Sequence, residues 1–301
     1  MWYSTVYVEL LKVAVLRGDV NRVQLLASLG ADVNQESDGI VPLAYAANNA
    51  DLAMCLCLME LGAVMDSGPL SSREHWTPLH SAVDAHMEKA VSTLLALGAD
   101  PNVIITKDII SPKGQIVLCV GSSLLHLIVM KRNLKIINIL VAAGVSLASS
   151  DIKGNTALHV ACKQASGEIH VVQKLLDIHR KSSTIDVLQS DIVNCQNDVG
   201  QTPLMVATAV REVDVVRILL LAGASVDICD VLKKLPLHAA VEEDSEELTI
   251  TLLQAGCSVD GGAPSNYPHS PLHLAITENN WTLIDILLEY GADANLRTSS
   301  H

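Results

Sequence analysis

Residues 75–102 read HWTPLHSAVDAHMEKAVSTLLALGADPN, a stretch whose internal spacing returns elsewhere in the chain. The motif Thr77-Pro-Leu-His80 comes first, Ala82 follows two residues after it, and Gly98 stands sixteen residues beyond Ala82. A histidine in such a motif is either a chemical group, as a catalyst or metal ligand, or a structural group that holds a scaffold together. The recurrence of the motif decides between these two roles.

The sixteen-residue offset occurs along the whole sequence. It joins seven pairs of residues, which are Ala14 and Gly30, Ala46 and Gly62, Ala82 and Gly98, Ile128 and Gly144, Ala207 and Gly223, Ala240 and Gly256, and Ala275 and Gly291. An eighth unit, around Thr156-Ala-Leu-His159, has Asp177 in place of the glycine. A fixed offset that recurs in this way indicates a repeat architecture. The unit starts Thr202 and Leu235 give a basic period near 33 residues.

Each unit is expected to form two short helices. Proline in the first turn of a helix loses no hydrogen bond, and the threonine before it can cap free backbone amides. The second helix, as in residues 213–223 or 281–291, has Val, Ile and Leu at spacings of three and four, which gives one buried face. The glycine that follows supplies a left-handed cap. Two short helices cannot bury their apolar faces alone, so the units have to stack.

A Thr-Pro-Leu-His-x-Ala motif with this period, two helices and a Gly-Ala-Asp-x-Asn turn resembles the ankyrin repeat. The resemblance covers about Glu9 to Asn295. It implies an all-α fold, an α-solenoid of about eight helix-turn-helix repeats joined by β-hairpin-type loops, in a single domain over residues 1–301. The implied repeats are roughly 5–35, 36–71, 72–103, 118–150, 151–196, 197–229, 230–264 and 265–297, with insertions at 104–117 and 178–192.

In the ankyrin family the motif histidine hydrogen-bonds the backbone of the adjoining turn and locks successive repeats together. The resemblance assigns this position to His80, His126, His159, His238 and His273. Histidines that lie one repeat apart cannot converge on one metal ion, because metal ligands lie about 2 Å from the ion. We therefore expect a structural role for them, with no metal site and no cofactor.

The bulk properties exclude several classes of function. The net charge of −13 argues against direct nucleic-acid binding, which needs a basic face to displace counterions from phosphates. Seven cysteines without a C-x-x-C pair favour a reducing compartment, and no secretory signal is visible. The expected location is the cytoplasm, with the nucleus as the alternative. The apolar run 114–130 contains a repeat junction, so no membrane insertion is expected.

The motifs of common enzymes do not occur in the sequence. It has no phosphate-binding glycine loop, no G-x-S-x-G elbow and no H-E-x-x-H motif. The sequence therefore predicts a protein that is not an enzyme.

The loops before each Thr-Pro and the ends of the first helices line the concave surface with which stacked repeats bind their partners. By resemblance, the candidate partner-binding residues are Arg73, Glu74, Trp76, Asp84, Ile152, Lys153, Asn155, Lys163, Gln164, Val199, Gln201, Val231, Leu232, Lys234, Glu242, Glu243, Asn266, Tyr267, His269 and Glu278. Exposed aromatic residues are typical interface anchors, which favours Trp76 and Tyr267. The alternative is that most of these residues are merely solvated.

Two junctions are longer than the basic period. In the first, residues 103–121, two β-branched runs flank Ser111-Pro-Lys-Gly114, which predicts a hairpin of two strands. The second, residues 177–196, is a polar segment with an apolar patch at Ile185, Val187 and Leu188. Either insertion can be inert, because surface insertions cost little free energy.

The sequence thus predicts a monomeric, non-catalytic module that binds a protein partner. Three roles remain open. The module is an adaptor or substrate-recognition scaffold, for example of a ubiquitin ligase, or a sequestering protein similar to the ankyrin inhibitors of NF-kappa-B, or the ankyrin portion of a larger enzyme or channel. The acidic charge suits a basic partner.

Asn34, Asn102 and Asn295 each end a Gly-Ala-Asp-x-Asn turn, with a leucine eight residues before each. This pattern resembles the sites at which an oxygen-dependent asparaginyl hydroxylase modifies ankyrin proteins. The turn has to open to enter an enzyme pocket, so Asn34 and Asn295, near the ends, are expected to react before Asn102. The alternative is that these asparagines stabilise their turns through side-chain hydrogen bonds to the backbone.

Overall fold

A computed structural model describes residues 2–66, 77–106, 109–110, 116–164, 169–183, 191–261 and 269–297. The chain divides into two compact units, Met1–Ile152 and Lys153–His301. The described residues form sixteen helices, and each unit contains eight of them in four consecutive pairs. The all-α repeat fold that the sequence predicts is therefore confirmed.

The first unit contains four helix pairs and one pair of short strands. Its elements are α1 Trp2–Leu16, α2 Val20–Ser28, α3 Pro42–Asn48, α4 Leu52–Glu60, α5 Pro78–Asp84, α6 Glu88–Ala96, β1 Ile109–Ile110, β2 Ile116–Leu118, α7 Leu124–Lys131 and α8 Leu134–Ala142. The first helices α1, α3, α5 and α7 pack against one another in chain order. Their leucines, such as Leu43, Leu79 and Leu125, are buried by this stacking.

The second unit repeats the pattern without strands in its described part. Its helices are α9 Ala157–Lys163, α10 His170–Ser183, α11 Pro203–Ala209, α12 Val213–Leu221, α13 Pro236–Glu242, α14 Glu246–Gln254, α15 Pro271–Thr277 and α16 Trp281–Glu289. The first helices α9, α11, α13 and α15 again pack in chain order, and α14 packs against both α12 and α16. Leu158, Leu204 and Leu237 occupy the same core position in successive first helices and are buried.

The histidine of each Thr-Pro-Leu-His motif helps to start the first helix. The Thr77 hydroxyl accepts a hydrogen bond from the His80 amide at 3.2 Å, and the Thr77 amide donates to His80 Nδ1 at 3.3 Å. This exchange is a capping box in which histidine stands where Glu or Gln is usual. The His159 ring makes the same contact, because the Thr156 amide donates to its Nδ1 at 3.2 Å.

The opposite edge of the histidine ring reaches the next repeat. His159 Nε2 lies 2.9 Å from the carbonyl oxygen of Gln201, the residue before the next helix cap. Because Nδ1 accepts a hydrogen bond, the proton of the neutral ring is on Nε2, which donates to that carbonyl. The His238 ring also interacts with the backbone of His269, the residue before the cap of α15. The motif histidine therefore joins consecutive repeats, as the family resemblance implies.

The helix α10 is longer than the other second helices, and Asp177 explains the difference. Second helices such as α12 end two residues before a glycine with positive φ, here Gly223 at 91°. Asp177 replaces that glycine, and α10 continues through it to Ser183. A residue with a Cβ favours the helical conformation over the left-handed one, so the helix is not stopped. Residues 178–183 are thus the last turns of a helix.

The two strands of the first unit lie where the β-branched runs predict them. They pair antiparallel, with Ile109 opposite Leu118 and Ile110 opposite Ile116. The predicted turn at Ser111-Pro-Lys-Gly114 and the apolar patch at residues 185–188 lie outside the described residues.

Ile105 lies within the predicted insertion of residues 104–117. Ile105 is only 2% exposed, its amide donates to the Ser122 carbonyl at 2.8 Å, and its carbonyl accepts from the Gly121 amide at 2.8 Å. Ile105 therefore belongs to the core that precedes α7.

Replacing His159 with alanine should lower the free energy of unfolding by about 1–3 kcal/mol, because the carbonyl of Gln201 and the amide of Thr156 lose their buried partner. Chemical denaturation followed by circular dichroism measures this change. The control is His170→Ala, at an exposed position of α10, which should unfold as the unchanged protein does. An unaltered unfolding free energy in His159→Ala would contradict the structural role.

The stability of the fold should fall as the pH decreases from about 6.5 towards about 4. Burial lowers the pKa of His80, and mainly burial lowers that of His238, from 6.5 to about 4 in both. Within this interval the unfolded chain binds protons that the folded chain does not, so acid favours unfolding. Each unit of pKa shift corresponds to about 1.4 kcal/mol.

Denaturation curves at neutral and acidic pH test this expectation against the double variant His80→Gln, His238→Gln. The variant should be less stable at neutral pH but should lose less stability on acidification than the unchanged protein. Equal losses in the two proteins would show that these histidines do not titrate with unfolding.

Candidate protein-binding surface

In the second unit, the loops that lead into the first helices are tight turns. The Asn197 amide donates to the Gln201 carbonyl at 3.0 Å, and the Asp230 amide donates to the Lys234 carbonyl at 2.9 Å. Each bond closes a hairpin-type loop of the kind that the ankyrin resemblance implies. Such closure holds the residues at the tip of the loop in a fixed position.

Adjacent loop tips are also bonded to each other. The Val231 amide donates to the Val199 carbonyl at 3.1 Å. A Cβ atom at Gly200, whose φ is 78°, would lie 2.7 Å from the backbone nitrogen of Val231. The close approach of the two loops therefore requires glycine at this position.

The tips of these loops carry large apolar side chains that face solvent. The exposed fractions are 51% for Val199, 61% for Val231 and 63% for Leu232. We call these three residues the loop-tip row. Contiguous exposed apolar side chains mark interaction surfaces more often than scattered ones do. In the first unit, Ile152 is a fourth exposed apolar candidate, and its amide is bonded to the Val120 carbonyl at 2.8 Å.

Several charged residues among the candidate partner-binding residues form ion pairs within the repeats. Lys234 Nζ lies 2.5 Å from Glu242 Oε1, so this ion pair ties a loop to the end of α13. In the first unit, Asp84 Oδ1 lies 2.6 Å from Lys131 Nζ and joins the ends of α5 and α7. A binding partner would have to compete with these two ion pairs for the charged side chains. The four residues therefore contribute to the scaffold before they contribute to binding.

Two further loop residues bond within the second unit. Asn155 Oδ1 accepts a hydrogen bond from Asn197 Nδ2 at 3.0 Å, and the Gln201 amide donates to Asn197 Oδ1 at 2.9 Å. Asn197 thus connects two neighbouring loops. It is not among the candidate residues predicted from the sequence.

The remaining candidates divide by exposure and by whether the structure describes them. Lys153, Lys163, His269 and Glu278 are exposed, whereas Gln164 and Glu243 are half-buried. Five candidates lie outside the described residues, and these are Arg73, Glu74, Trp76, Asn266 and Tyr267. The two aromatic anchors favoured by the sequence are among them and stay predictions.

The side chains of Asn34 and Asn102 form hydrogen bonds to the backbone, as expected if these asparagines stabilise turns. Asn34 Oδ1 accepts from the Val64 amide at 2.8 Å, and its Nδ2 donates to the Gly62 carbonyl at 3.0 Å. Asn102 Oδ1 accepts from the Ser146 amide at 2.9 Å. Each asparagine therefore links its own turn to the turn of the next repeat.

Asn194 has the same geometry but was missed in the sequence. Its Oδ1 accepts from the Ser225 amide at 2.7 Å, and its Nδ2 lies 3.3 Å from the Gly223 carbonyl. The Gly-Ala-Asp signature is absent before it, since residues 190–194 read SDIVN. The separation from the next repeat glycine, 29 residues against 28 for Asn34, is the signal that could have identified it.

Two buried cysteines, Cys55 and Cys257, have thiols that are unsuited to nucleophilic attack. Burial raises the pKa of the Cys55 thiol to about 11 and that of the Cys257 thiol to about 12. Both are therefore protonated thiols at neutral pH rather than nucleophilic thiolates. Within the described ranges, no group of three or more His, Cys, Asp or Glu side chains is arranged to hold a metal ion. No helix in that part of the chain has the length and apolarity to cross a membrane.

Comparison with known proteins identifies the repeat. The family model for ankyrin repeats (three copies) matches residues 11–105, 107–187, 125–230, 179–263 and 220–298. The crystal structure of the ankyrin repeat domain of Bcl-3, described as a member of the IkappaB protein family, matches with a TM-score of 0.60 and 30% identity. That match covers 75% of this chain and 91% of the Bcl-3 chain.

Two longer proteins share part of their sequence with this chain. The nuclear factor NF-kappa-B p105 subunit of Rattus norvegicus is 28% identical over 149 residues, which is 49% of this chain and 15% of the p105 subunit. The E3 ubiquitin-protein ligase KEG of Arabidopsis thaliana is 27% identical over 302 residues, which is 95% of this chain and 17% of the ligase. Both matches are confined to a minor part of the relative. Because the ankyrin model matches this chain from residue 11 to residue 298, the protein belongs to the ankyrin repeat family.

Proposed function

We propose that this protein is a non-catalytic module that binds a protein partner through the loop-tip row and the adjoining ends of the first helices. The ankyrin repeat fold is a scaffold for protein interaction. The observation that carries the proposal is the exposure of Val199, Val231 and Leu232 on two turns that are hydrogen-bonded to each other. Because the backbone holds these side chains in place, a partner pays little entropy to order them.

The role that we favour is that of an adaptor or substrate-recognition scaffold, for instance the recognition arm of a ubiquitin ligase. The similarity to the ligase KEG, which extends over 95% of this chain, supports this role. A recognition arm needs a binding surface and no catalytic group of its own. The raised pKa values of the Cys55 and Cys257 thiols are consistent with a chain that binds a partner and has no nucleophilic thiolate at these two positions.

A second candidate is sequestration of a transcription factor, in the manner of the NF-kappa-B inhibitors. The 30% identity to the Bcl-3 ankyrin domain over 75% of this chain favours it, and the net charge of −13 suits a basic partner. Binding to an NF-kappa-B dimer in competition with DNA would support sequestration. Co-purification with ubiquitin-ligase subunits, without such competition, would support the adaptor role. The third alternative is that the chain is the ankyrin portion of a larger enzyme or channel.

We further propose that the module acts as a monomer in the cytoplasm or the nucleus, without direct contact to nucleic acid and without membrane insertion. The acidic charge supports the absence of nucleic-acid contact, because phosphates repel a surface of the same sign.

Replacing residues of the loop-tip row should weaken partner binding without changing stability. The partner is first identified by affinity purification and mass spectrometry, and its affinity is then measured for Leu232→Ala and Val199→Ala. Each variant should bind about tenfold more weakly, since an anchor side chain contributes more than about 1 kcal/mol to binding. The thermal unfolding midpoint should stay unchanged, because both side chains are exposed.

The matched control for this experiment is Leu221→Ala, which removes a largely exposed leucine from the second helix α12. It should bind the partner normally. Full affinity in both loop-tip variants would contradict the proposed interface. The residues Trp76 and Tyr267 are then replaced by alanine in the same assay, and normal binding by these variants would indicate another face of the repeats.

We also propose Asn34, Asn102 and Asn295 as substrates of the asparaginyl hydroxylase that acts on ankyrin proteins. The amide of Asn295 donates to Asp293 at 2.8 Å, but its side chain makes no hydrogen bond within the described part of the chain. The side chains of Asn34 and Asn102 each bond the next repeat and have to be released before reaction.

Incubation of the folded protein with the hydroxylase, followed by peptide mass spectrometry, should detect added oxygen at Asn34, Asn102 or Asn295. The variant Asn295→Gln serves as a control for the assignment of the modified peptide. Absence of added oxygen at all three asparagines would end the proposal.

A further inference from the structure

The charges of this chain are distributed unevenly. Residues 235–296 contain no lysine and no arginine. The same segment contains ten acidic residues, which are Glu242, Glu243, Asp244, Glu246, Glu247, Asp260, Glu278, Asp285, Glu289 and Asp293. Most of the net charge of −13 is therefore concentrated in the last two repeats. An asymmetry of this size indicates a preference for partners of opposite charge.

An exposed tryptophan lies within this acidic segment. Trp281 is the first residue of α16, and 71% of its surface is accessible to solvent. Its position is fixed by Asn280, whose Oδ1 accepts a hydrogen bond from the Leu283 amide at 2.9 Å. Tryptophan is the residue most enriched at the energetic centres of interfaces. A tryptophan held at a helix start and exposed to this degree is a candidate anchor.

Two further exposed side chains share the face of α16 that Trp281 occupies. Asp285 follows after four residues and Leu288 after seven, which places all three on one side of the helix. We call these three residues the α16 outward face. It combines two apolar side chains with a carboxylate between them.

The exposure of this face is a property of its position in the repeat. Trp281 stands ten residues before Gly291, and Leu52 stands ten residues before Gly62. Leu52 belongs to α4, whose repeat has a further repeat on each side, and it is exposed as well. The same positions therefore point to solvent within the stack, whatever follows α16.

The surroundings of Trp281 are acidic. The neighbouring helix α14 begins with Glu246 and Glu247, and Asn280 Nδ2 donates to the carboxylate of Asp244. Arg217 pairs with Glu247 at 2.8 Å. Within the described residues Glu246, Glu278 and Asp285 form no ion pair, whereas Arg217 reaches the first turn of α14 through Glu247. The carboxylates nearest to Trp281 along the chain, Glu278 and Asp285, are exposed.

We propose that the α16 outward face, together with the first turn of α14, binds a partner segment that carries arginine or lysine side chains and at least one large apolar side chain. A guanidinium or ammonium group can stack on the Trp281 ring while Asp285 and Glu278 compensate its charge. The apolar side chain packs between Trp281 and Leu288. Exposed ion pairs alone contribute little free energy, so the tryptophan supplies affinity and the carboxylates select the sign of the charge.

This surface is separate from the loop-tip row. The loop-tip row belongs to turns before first helices, whereas the α16 outward face belongs to a second helix. The two surfaces therefore serve two different partner segments, and each can be disabled without the other.

The test uses a fluorescent amphipathic peptide of leucine and arginine, with its leucines on one helical face, and a companion peptide in which glutamate replaces every arginine. Fluorescence anisotropy with the full chain should show binding of the arginine peptide only, with an affinity that falls as salt is added. Trp281→Ala should weaken this binding by about tenfold or more. Asp285→Lys should weaken it as well and should increase binding of the glutamate peptide.

The matched control is Leu52→Ala, which changes the same repeat position in α4 and should leave the affinity unchanged. Leu232→Ala, in the loop-tip row, should also leave it unchanged. Equal binding by Trp281→Ala and the unchanged protein would overturn the proposal, because charge attraction without a site would then explain the binding. Equal loss in Leu52→Ala, or equal binding of the glutamate peptide, would overturn it too. Thermal unfolding of each variant verifies that the substitution acts on binding.

Discussion

The two hydrogen bonds of the motif histidine are the interaction on which the repeats of this protein depend. In His159, Nδ1 accepts from the cap of its own helix, and Nε2 donates to the loop of the next repeat. A ring can do both only when it is neutral, because an imidazolium has no acceptor. Burial provides this condition, as the pKa of about 4 for His80 and His238 illustrates. The same desolvation that makes these histidines poor bases keeps their rings neutral and makes them good structural links.

The ends of the second helices show how one residue changes a repeat. Most second helices stop before a glycine that adopts a positive φ, which costs an L-residue with a Cβ free energy that glycine avoids. Asp177 removes this stop, and α10 grows to 14 residues where α12 has 9. Beyond the longer helix, Ile192 and Val193 are buried. The unusual length of this second helix therefore has a local cause in a single position.

The side chains that select a partner face solvent and do not contribute to the core of the repeats. Buried leucines recur at equivalent positions, whereas the solvent-facing positions differ from repeat to repeat. Trp281 and Leu52 share one such exposed position, yet one side chain is aromatic and the other is aliphatic. Function in a repeat protein resides in these differences, since the fold itself is shared by proteins with unrelated roles.

The sequence by itself determined the repeat and the helix pairs, because spacing and capping chemistry act over short distances along the chain. The role of the motif histidines was implied by the ankyrin resemblance. It also predicted β1 and β2 from their β-branched residues. Only the tertiary structure decided that Ile105 belongs to the core, that Asn194 acts like Asn34, and that Trp281 faces solvent. These properties depend on contacts between residues that are distant in the chain, and a linear pattern does not contain the distance between them.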